Sequence, residues 1–400
     1  SEWIDKADKH VMKTYGRYPI VAQRGEGCRL WDVEGRVYLD FLAGVAVNNL
    51  GHCHPKVVAA LREQAGRLLH CSNFYHIPQQ IELAEWLCEH SFADSVFFCN
   101  SGAEANEAAM KLARKHSREK YGENRFEVIT ALASFHGRTI ATISATGQEK
   151  VKAGFSPMLN GFKHVPFGDL EAMRQMVTPN VCAIMLEPIQ GEGGVNVPLP
   201  GYLKAVRDLC DEFDLLLIYD EVQVGCGRTG TLWAYEHEEV PPDIMTLAKA
   251  LAGGPPIGAM LTTTSLAERL GPGTHGSTFG GNPLVCAAAL AAMQTITDDG
   301  ILDNCRTMGE YLTGELERLQ GKYAFIKEIR GRGLIIGMEL TIEGGPLVNA
   351  AMERGLLINC TVGKVLRFVP PLIVSRAEID EAVTILDEVM ATIDTTGHAG

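Results

Sequence analysis

Short apolar runs punctuate the chain, and between them apolar residues fall three and four positions apart. The runs Ser95–Cys99, Phe126–Ala131, Val181–Glu187, Leu215–Asp220, Ile244–Leu247 and Ile257–Leu261 are of strand length, and alternate with helix-period stretches as in a sheet covered on both faces. Between them, Ala103–Arg114 and Tyr202–Cys210 have the spacing of crossover helices. The alternation predicts an α/β fold, a large domain whose mostly parallel, doubly wound sheet is covered by helices. From Asn282 an Ala-rich helix runs to Ile296, and the order then changes. A helix over Ile301–Leu319, strands over Ile326–Ile329 and Gly333–Leu340, a helix, short strands and a last helix over Arg376–Thr392 predict a smaller α+β C-terminal domain. The expected division is an N-terminal segment, 1–50, packing with the small domain, a large domain, 51–290, and the small domain, 291–400. Without repeats, low-complexity tracts or long charge runs, no disordered tail is expected beyond Thr395-Thr396-Gly397-His398.

With 400 residues, 46% of them hydrophobic, the chain can fill more than one core. A net charge of −13 and a pI near 5.4 argue against nucleic acid, which needs a basic surface to release counterions. The 11 cysteines are scattered, none in C-x-x-C spacing, and several lie in apolar runs, so they are read as reduced. The chain shows neither a run of about 18 uncharged apolar residues nor a signal pattern in Ser1-Glu2-Trp3-Ile4-Asp5-Lys6. The expectation is a soluble cytoplasmic protein without a membrane partner.

Four segments carry candidate chemistry. Asn100-Ser101-Gly102-Ala103-Glu104-Ala105 follows a strand and opens a helix, where free amides beside the positive helix end suit a phosphate. An ordinary serine-capped turn reads the same way. In Ile218-Tyr219-Asp220-Glu221-Val222-Gln223 an apolar strand ends in two carboxylates, where open α/β sheets meet ligands. An acid there could keep a pyridine nitrogen protonated, or could cap a turn or bind a metal. Lys249 follows a strand among small and apolar residues, in Leu247-Ala248-Lys249-Ala250-Leu251-Ala252-Gly253-Gly254. Desolvation there favours the neutral amine that attacks an aldehyde, although a snorkelling lysine is the plainer alternative. Ser134-Phe135-His136-Gly137-Arg138-Thr139 offers a ring for stacking and a guanidinium for a carboxylate, or a packed loop aromatic with a surface arginine. Gly225-Cys226-Gly227-Arg228-Thr229-Gly230 fits G-x-G-x-x-G but continues into Thr231-Leu232-Trp233 rather than a crossover helix, so a nicotinamide oxidoreductase is disfavoured. His52-Cys53-His54 lacks a second ligand cluster, and no metal is expected.

Taken in order, these segments resemble the class III aminotransferases of the fold type I pyridoxal-phosphate superfamily over nearly the whole length. The markers are Gly25-Glu26-Gly27, Leu30-Trp31-Asp32, Gly51-His52-Cys53-His54-Pro55, Asn100 to Lys111, Phe135 to Thr139, Glu187 to Gly194, Asp220 to Gly227, Lys249 and Gly276 to Pro283. The resemblance implies pyridoxal 5'-phosphate as cofactor, bound by the large domain and carried by Lys249 as an imine, with Asp220 at its ring nitrogen. It implies Val222 and Phe135 on the two ring faces, Gln223 at the phenolic oxygen, and Ser101, Gly102 and Ala103 around the phosphate. Thr278 would reach that phosphate from a neighbouring subunit, making a homodimer with shared sites. Arg138 would take a substrate carboxylate, with Ser277 and Tyr15 nearby. Glu192 and Arg367 resemble a switch pair, joined when an ornithine derivative binds and parted when Arg367 takes the α-carboxylate of glutamate.

Within the family the likeness is greatest to enzymes of arginine biosynthesis that move the δ-amino group of N-acetylornithine to 2-oxoglutarate, giving N-acetylglutamate semialdehyde and glutamate. Val45 stands where ornithine-specific relatives carry a tyrosine, which favours an acylated donor. Ornithine, succinylornithine and 4-aminobutyrate remain alternative donors, and a catalytically silent binding protein is disfavoured by Lys249, Asp220 and Arg138 together.

Overall fold

The computed structural model describes residues 1–393, so the expectation for Thr395–His398 lies outside the described residues. Near the N-terminus, β1 (Ala22–Glu26), β2 (Arg29–Asp32) and β3 (Val37–Asp40) form an antiparallel ribbon. The central sheet comprises β4 (Ser95–Cys99), β5 (Glu127–Ala131), β6 (Phe162–Val165), β7 (Val181–Leu186), β8 (Leu216–Asp220), β9 (Ile244–Leu247) and β10 (Gly258–Thr262). Its order is β4-β10-β9-β8-β7-β5-β6.

Strands β5 to β9 are parallel, and β10 is antiparallel to both its neighbours. Two reversals across β10 restore the direction, so β4 runs with the parallel set. The C-terminal ends of β4, β5, β7, β8 and β9 therefore open at one sheet edge. Every residue of β7, β9 and β10 is buried, as the continuous apolar runs require of strands covered on both faces. All six anticipated runs form strands. The seventh strand, β6, escapes the pattern because its middle residues are polar: Lys163 pairs with Glu127 at 2.7 Å and His164 with Thr130 at 2.7 Å.

The C-terminal part contains β11 (Ile326–Arg332), β12 (Ile335–Leu340), β13 (Leu356–Leu357), β14 (Asn359–Thr361) and β15 (Val365–Phe368). Four of these form an antiparallel sheet in the order β11-β12-β15-β14, while β13 pairs in parallel with β3 of the N-terminal ribbon. Helices Ile301–Lys322 and Arg376–Ala391 bury Leu312, Leu316 and Leu319 together with Ile379, Leu386 and Val389. The second begins with a capping box between Ser375 and Glu378. The fold is thus a large α/β domain with a smaller α+β C-terminal domain.

Gly225–Gly230 is a structural crossing point. Arg228 is fully buried and donates to the Leu334 carbonyl at 2.8 Å, the Pro370 carbonyl at 2.6 Å and the Asn49 side chain. One guanidinium ties the end of β8's loop to the N-terminal segment and the small domain. Arg228→Met should strand these acceptors and cost about 2–4 kcal/mol of unfolding free energy, read from the urea midpoint; a change under about 0.5 kcal/mol would contradict that bridging role.

Candidate active site

The turn after β4 leads into the 20-residue helix Gly102–Tyr121. Ser101 caps it, its Oγ accepting the Glu104 amide at 3.2 Å, while the Glu104 carboxylate accepts the Asn100 amide at 3.1 Å and the Ser101 hydroxyl at 2.8 Å. A Cβ on Gly102 would stand 2.8 Å from Val222 Cγ1, so glycine is what lets the turn and the loop after β8 meet. In the first helical turn the Gly102 and Ala103 amides have no intrahelical acceptor, and with the helix dipole they favour an anion.

At the end of β8, Asp220 is 4% exposed. Its Oδ2 accepts Asn106 Nδ2 at 2.7 Å and lies 2.8 Å from His136 Nδ1, and its Oδ1 accepts the Val222 amide at 3.1 Å. Asn106 also donates to the His136 carbonyl at 2.8 Å and accepts the Thr246 hydroxyl at 2.7 Å. Burial opposes a charge on His136, but the hydrogen bond and charge of Asp220, helped by Glu187, prevail and raise its pKa. Glu187 is pushed up to about 7 by its own burial, despite the charge of His136 and the Phe135 amide donating at 2.9 Å.

Lys249 follows β9 in the left-handed region, at φ +46°, as the first residue of a short turn in which Ala250, Leu251 and Ala252 are buried. Strain of this kind gathers at functional sites. Burial lowers the Lys249 ammonium to about 8; Glu192 and Asp220 pull it upward and Arg367 downward. A cavity of about 370 Å³ at the sheet edge is lined by Lys249, Asp220, Ser101, Gly102, Ala103, Phe135, Arg138, Glu192, Val222 and Gln223, among others. Arg367 comes from β15 of the small domain, is 1% exposed, and reaches Glu192 at 2.6 Å and Gln223 Oε1 at 3.1 Å.

Other anticipated residues lie elsewhere in the single chain. Ser277 and Thr278 line a separate cavity of about 590 Å³, Ser277 accepting from Asn100 at 3.2 Å. Tyr15 is exposed beside Arg17, and Val45 is half-buried two positions before the cavity-lining Val47. His52 bonds Asp40 at 2.7 Å. Asn106, His136, Glu187 and Thr246, for which the sequence expectations name no role, join the site. An amide inside the alanine face of Ala105-Asn106-Glu107-Ala108-Ala109 was the available signal for Asn106.

A desolvated amine, a buried hydrogen-bonded carboxylate and an anion-favouring helix start, facing one cavity, suit a phosphorylated pyridine aldehyde and define a fold type I pyridoxal-phosphate enzyme. The chain belongs to the class III aminotransferases, the family description "Aminotransferase class-III" matching residues 11–390. It is a pyridoxal-phosphate-dependent aminotransferase. It is 56% identical over 386 residues to the acetylornithine aminotransferase of Caldanaerobacter subterraneus subsp. tengcongensis, covering 96% of this chain and 98% of that one. The acetylornithine aminotransferase of Methanocaldococcus jannaschii is 51% identical, with 98% of each chain covered. Among solved structures, the ornithine aminotransferase of Toxoplasma gondii ME49 matches with a TM-score of 0.95 at 39% identity, over 98% of this chain and 94% of that one. The acetylornithine aminotransferase of Elizabethkingia anophelis matches with a TM-score of 0.87 at 36% identity, over 98% of each.

A lowered lysine pKa means that the neutral amine dominates above the shifted value. In the cofactor-free protein, acylation of Lys249 by an amine-reactive probe, followed by peptide mass mapping, should rise with a midpoint near pH 8. A midpoint near that of free lysine, about 10.4, would remove the desolvation argument.

Proposed function

We propose that this enzyme transfers the δ-amino group of N-acetylornithine to 2-oxoglutarate, yielding N-acetylglutamate semialdehyde and glutamate, in the cytoplasm and as a homodimer. The observation that carries the reading is the contact of Arg367 with Glu192, a residue lining the cavity that holds Lys249. The names of the relatives at 56% and 51% identity support the acylated donor, while the likeness to an ornithine aminotransferase keeps free ornithine as the competing one.

When bound, pyridoxal phosphate supplies an aldehyde that condenses with amines and a protonated ring that draws electrons from the carbon next to the amine. In this reading Lys249 tethers it, and Ser101 with the Gly102 and Ala103 amides holds the phosphate. Phe135 and Val222 flank the ring, Gln223 meets its phenolic oxygen, and Asp220, oriented by Asn106 and His136, keeps a proton on its nitrogen. Lys249 Nζ would take the proton from the substrate carbon that bears the amine, a role that its burial-lowered pKa favours. Arg138 binds a substrate carboxylate as a forked donor. Paired with Glu192, Arg367 is neutralised, and the site accepts a donor with no second carboxylate there. Released, it captures the α-carboxylate of glutamate while Arg138 holds the γ-carboxylate. Tyr15 and Ser277 complete the substrate surroundings, and Thr278 serves the partner's phosphate. Supporting a second copy, Phe74 and Phe279, near Ser277 and Thr278, are 92% and 61% exposed, aromatic surface that a partner would cover.

With 2-oxoglutarate as acceptor, kcat/KM for N-acetylornithine should exceed that for ornithine and 4-aminobutyrate by at least about tenfold; a preference for either competitor overturns the choice of donor. Glu192→Ala should slow the N-acetylornithine half-reaction relative to the glutamate half-reaction by on the order of tenfold, because Arg367 stays charged and free. Single-turnover rates that fall equally for both substrates would refute the switch.

A further inference from the structure

The small-domain sheet carries one cross-strand row, Arg330–Gly337–Arg367–Asn359, running through β11, β12, β15 and β14. Directly paired residues project from the same face, so the two arginines flank a position with no side chain. Val195 fills that gap: a Cβ on Gly337 would stand 2.9 Å from Val195 Cβ. Val195 is fully buried and sits at φ +52°, where a β-branched residue is strained, so its surroundings must hold the loop in place.

The loop so docked is Gly191-Glu192-Gly193-Gly194-Val195, which presents Glu192 to the cavity. Three glycines leave it with more backbone freedom than most sequences, and that freedom has to be restrained somewhere. On one flank Arg330 Nη2 donates to the Gly194 carbonyl at 2.8 Å and Nε to the Val195 carbonyl at 3.0 Å. Arg330 is itself held by Glu328 at 2.7 Å and by Glu339. On the other flank Arg367 meets Glu192, Gln223 and Asn359. The two grips differ in kind. Arg367 is held by side chains that can rotate away, whereas in this loop Arg330 holds main-chain carbonyls that cannot leave without moving the backbone.

We propose that Arg330 is a positioning residue for donor selection: it clamps the Gly191–Val195 backbone to the small domain through the notch at Gly337, so that Glu192 joins or leaves Arg367 by side-chain rotation alone. The clamp rests on the switch reading and deepens it. Without it the loop, closed on itself by the Gln190–Asn196 bridge, loses its tie to the small domain, Glu192 meets Arg367 less often, and Arg367 stands free for glutamate.

The test compares single-turnover kinetics of the holoenzyme with N-acetylornithine and with glutamate in five variants. Arg330→Met should lower the N-acetylornithine to glutamate ratio of kcat/KM by on the order of tenfold, within the range of coupling between contacting residues, and Arg330→Lys should restore part of it. Gly337→Ala, which pushes on Val195, should shift the ratio in the same direction and carries the test if Arg330→Met does not fold. In a Glu192→Ala background Arg330→Met should leave the ratio unmoved, since no carboxylate remains to be positioned. Equal falls in both half-reactions, or a ratio shift that simply adds to that of Glu192→Ala, overturn the clamp. A Glu192→Ala enzyme with the wild-type ratio overturns the switch reading and the clamp with it, whereas a shift in Glu192→Ala without one in Arg330→Met overturns the clamp alone.

Discussion

Removing an amine from water while keeping it beside carboxylates is the constraint on which this molecule is organised. Burial draws the Lys249 ammonium down to about 8 because the charged form loses its hydration, while Glu192 and Asp220 limit how far it falls. An amine so poised can bind covalently to an aldehyde and still exchange a proton. The arrangement is tolerable because the acids have partners: Asp220 takes Asn106, His136 and the Val222 amide, and Glu192 takes Arg367. A buried charge lacking such partners would unfold the site or lose its ionisation.

The central sheet meets that constraint by geometry. Parallel strands deliver their C-terminal ends to one edge, and β8 and β9 bring Asp220 and Lys249 to the same cavity. The antiparallel β10 admits β4 to the same orientation, which puts the start of helix Gly102–Tyr121 beside them. Contact between Gly102 and Val222 closes the two loops together. The anion-favouring turn and the carboxylate thereby line one cavity, a combination that suits a ring carrying a phosphate.

The small domain supplies what the sheet cannot, a cation on a separately built surface. Arg367 enters from β15, and the row that contains it also contains Arg330. Arg228, buried where the N-terminal segment, the loop after β8 and the small domain meet, joins these parts with three hydrogen-bonded acceptors. The Glu192–Arg367 ion pair therefore joins members from different domains. In the proposed reading, that pair sorts the two substrates while its backbone stays in place.

Much of this was legible in the residues. Continuous apolar runs announced the buried strands, since each run carries its own burial signal. Lys249 and Asp220 stood out because a charge at the end of an apolar strand is costly without a purpose. β6 was not legible, because Lys163 and His164 interrupt its apolar run, whereas the other edge strand, β4, is apolar enough to show. Asn106 and Thr246 were not, because their meaning is a hydrogen bond between positions 140 residues apart. The row that sets Arg330 beside Arg367 arises from strand register, which no local spacing states. By itself the sequence determined which segments are buried and which residues bear the chemistry, since hydrophobic period and local company are properties of neighbours in the chain. The tertiary structure alone decided which oxygen meets which nitrogen, because those distances are set by strand order and packing between segments far apart in the chain.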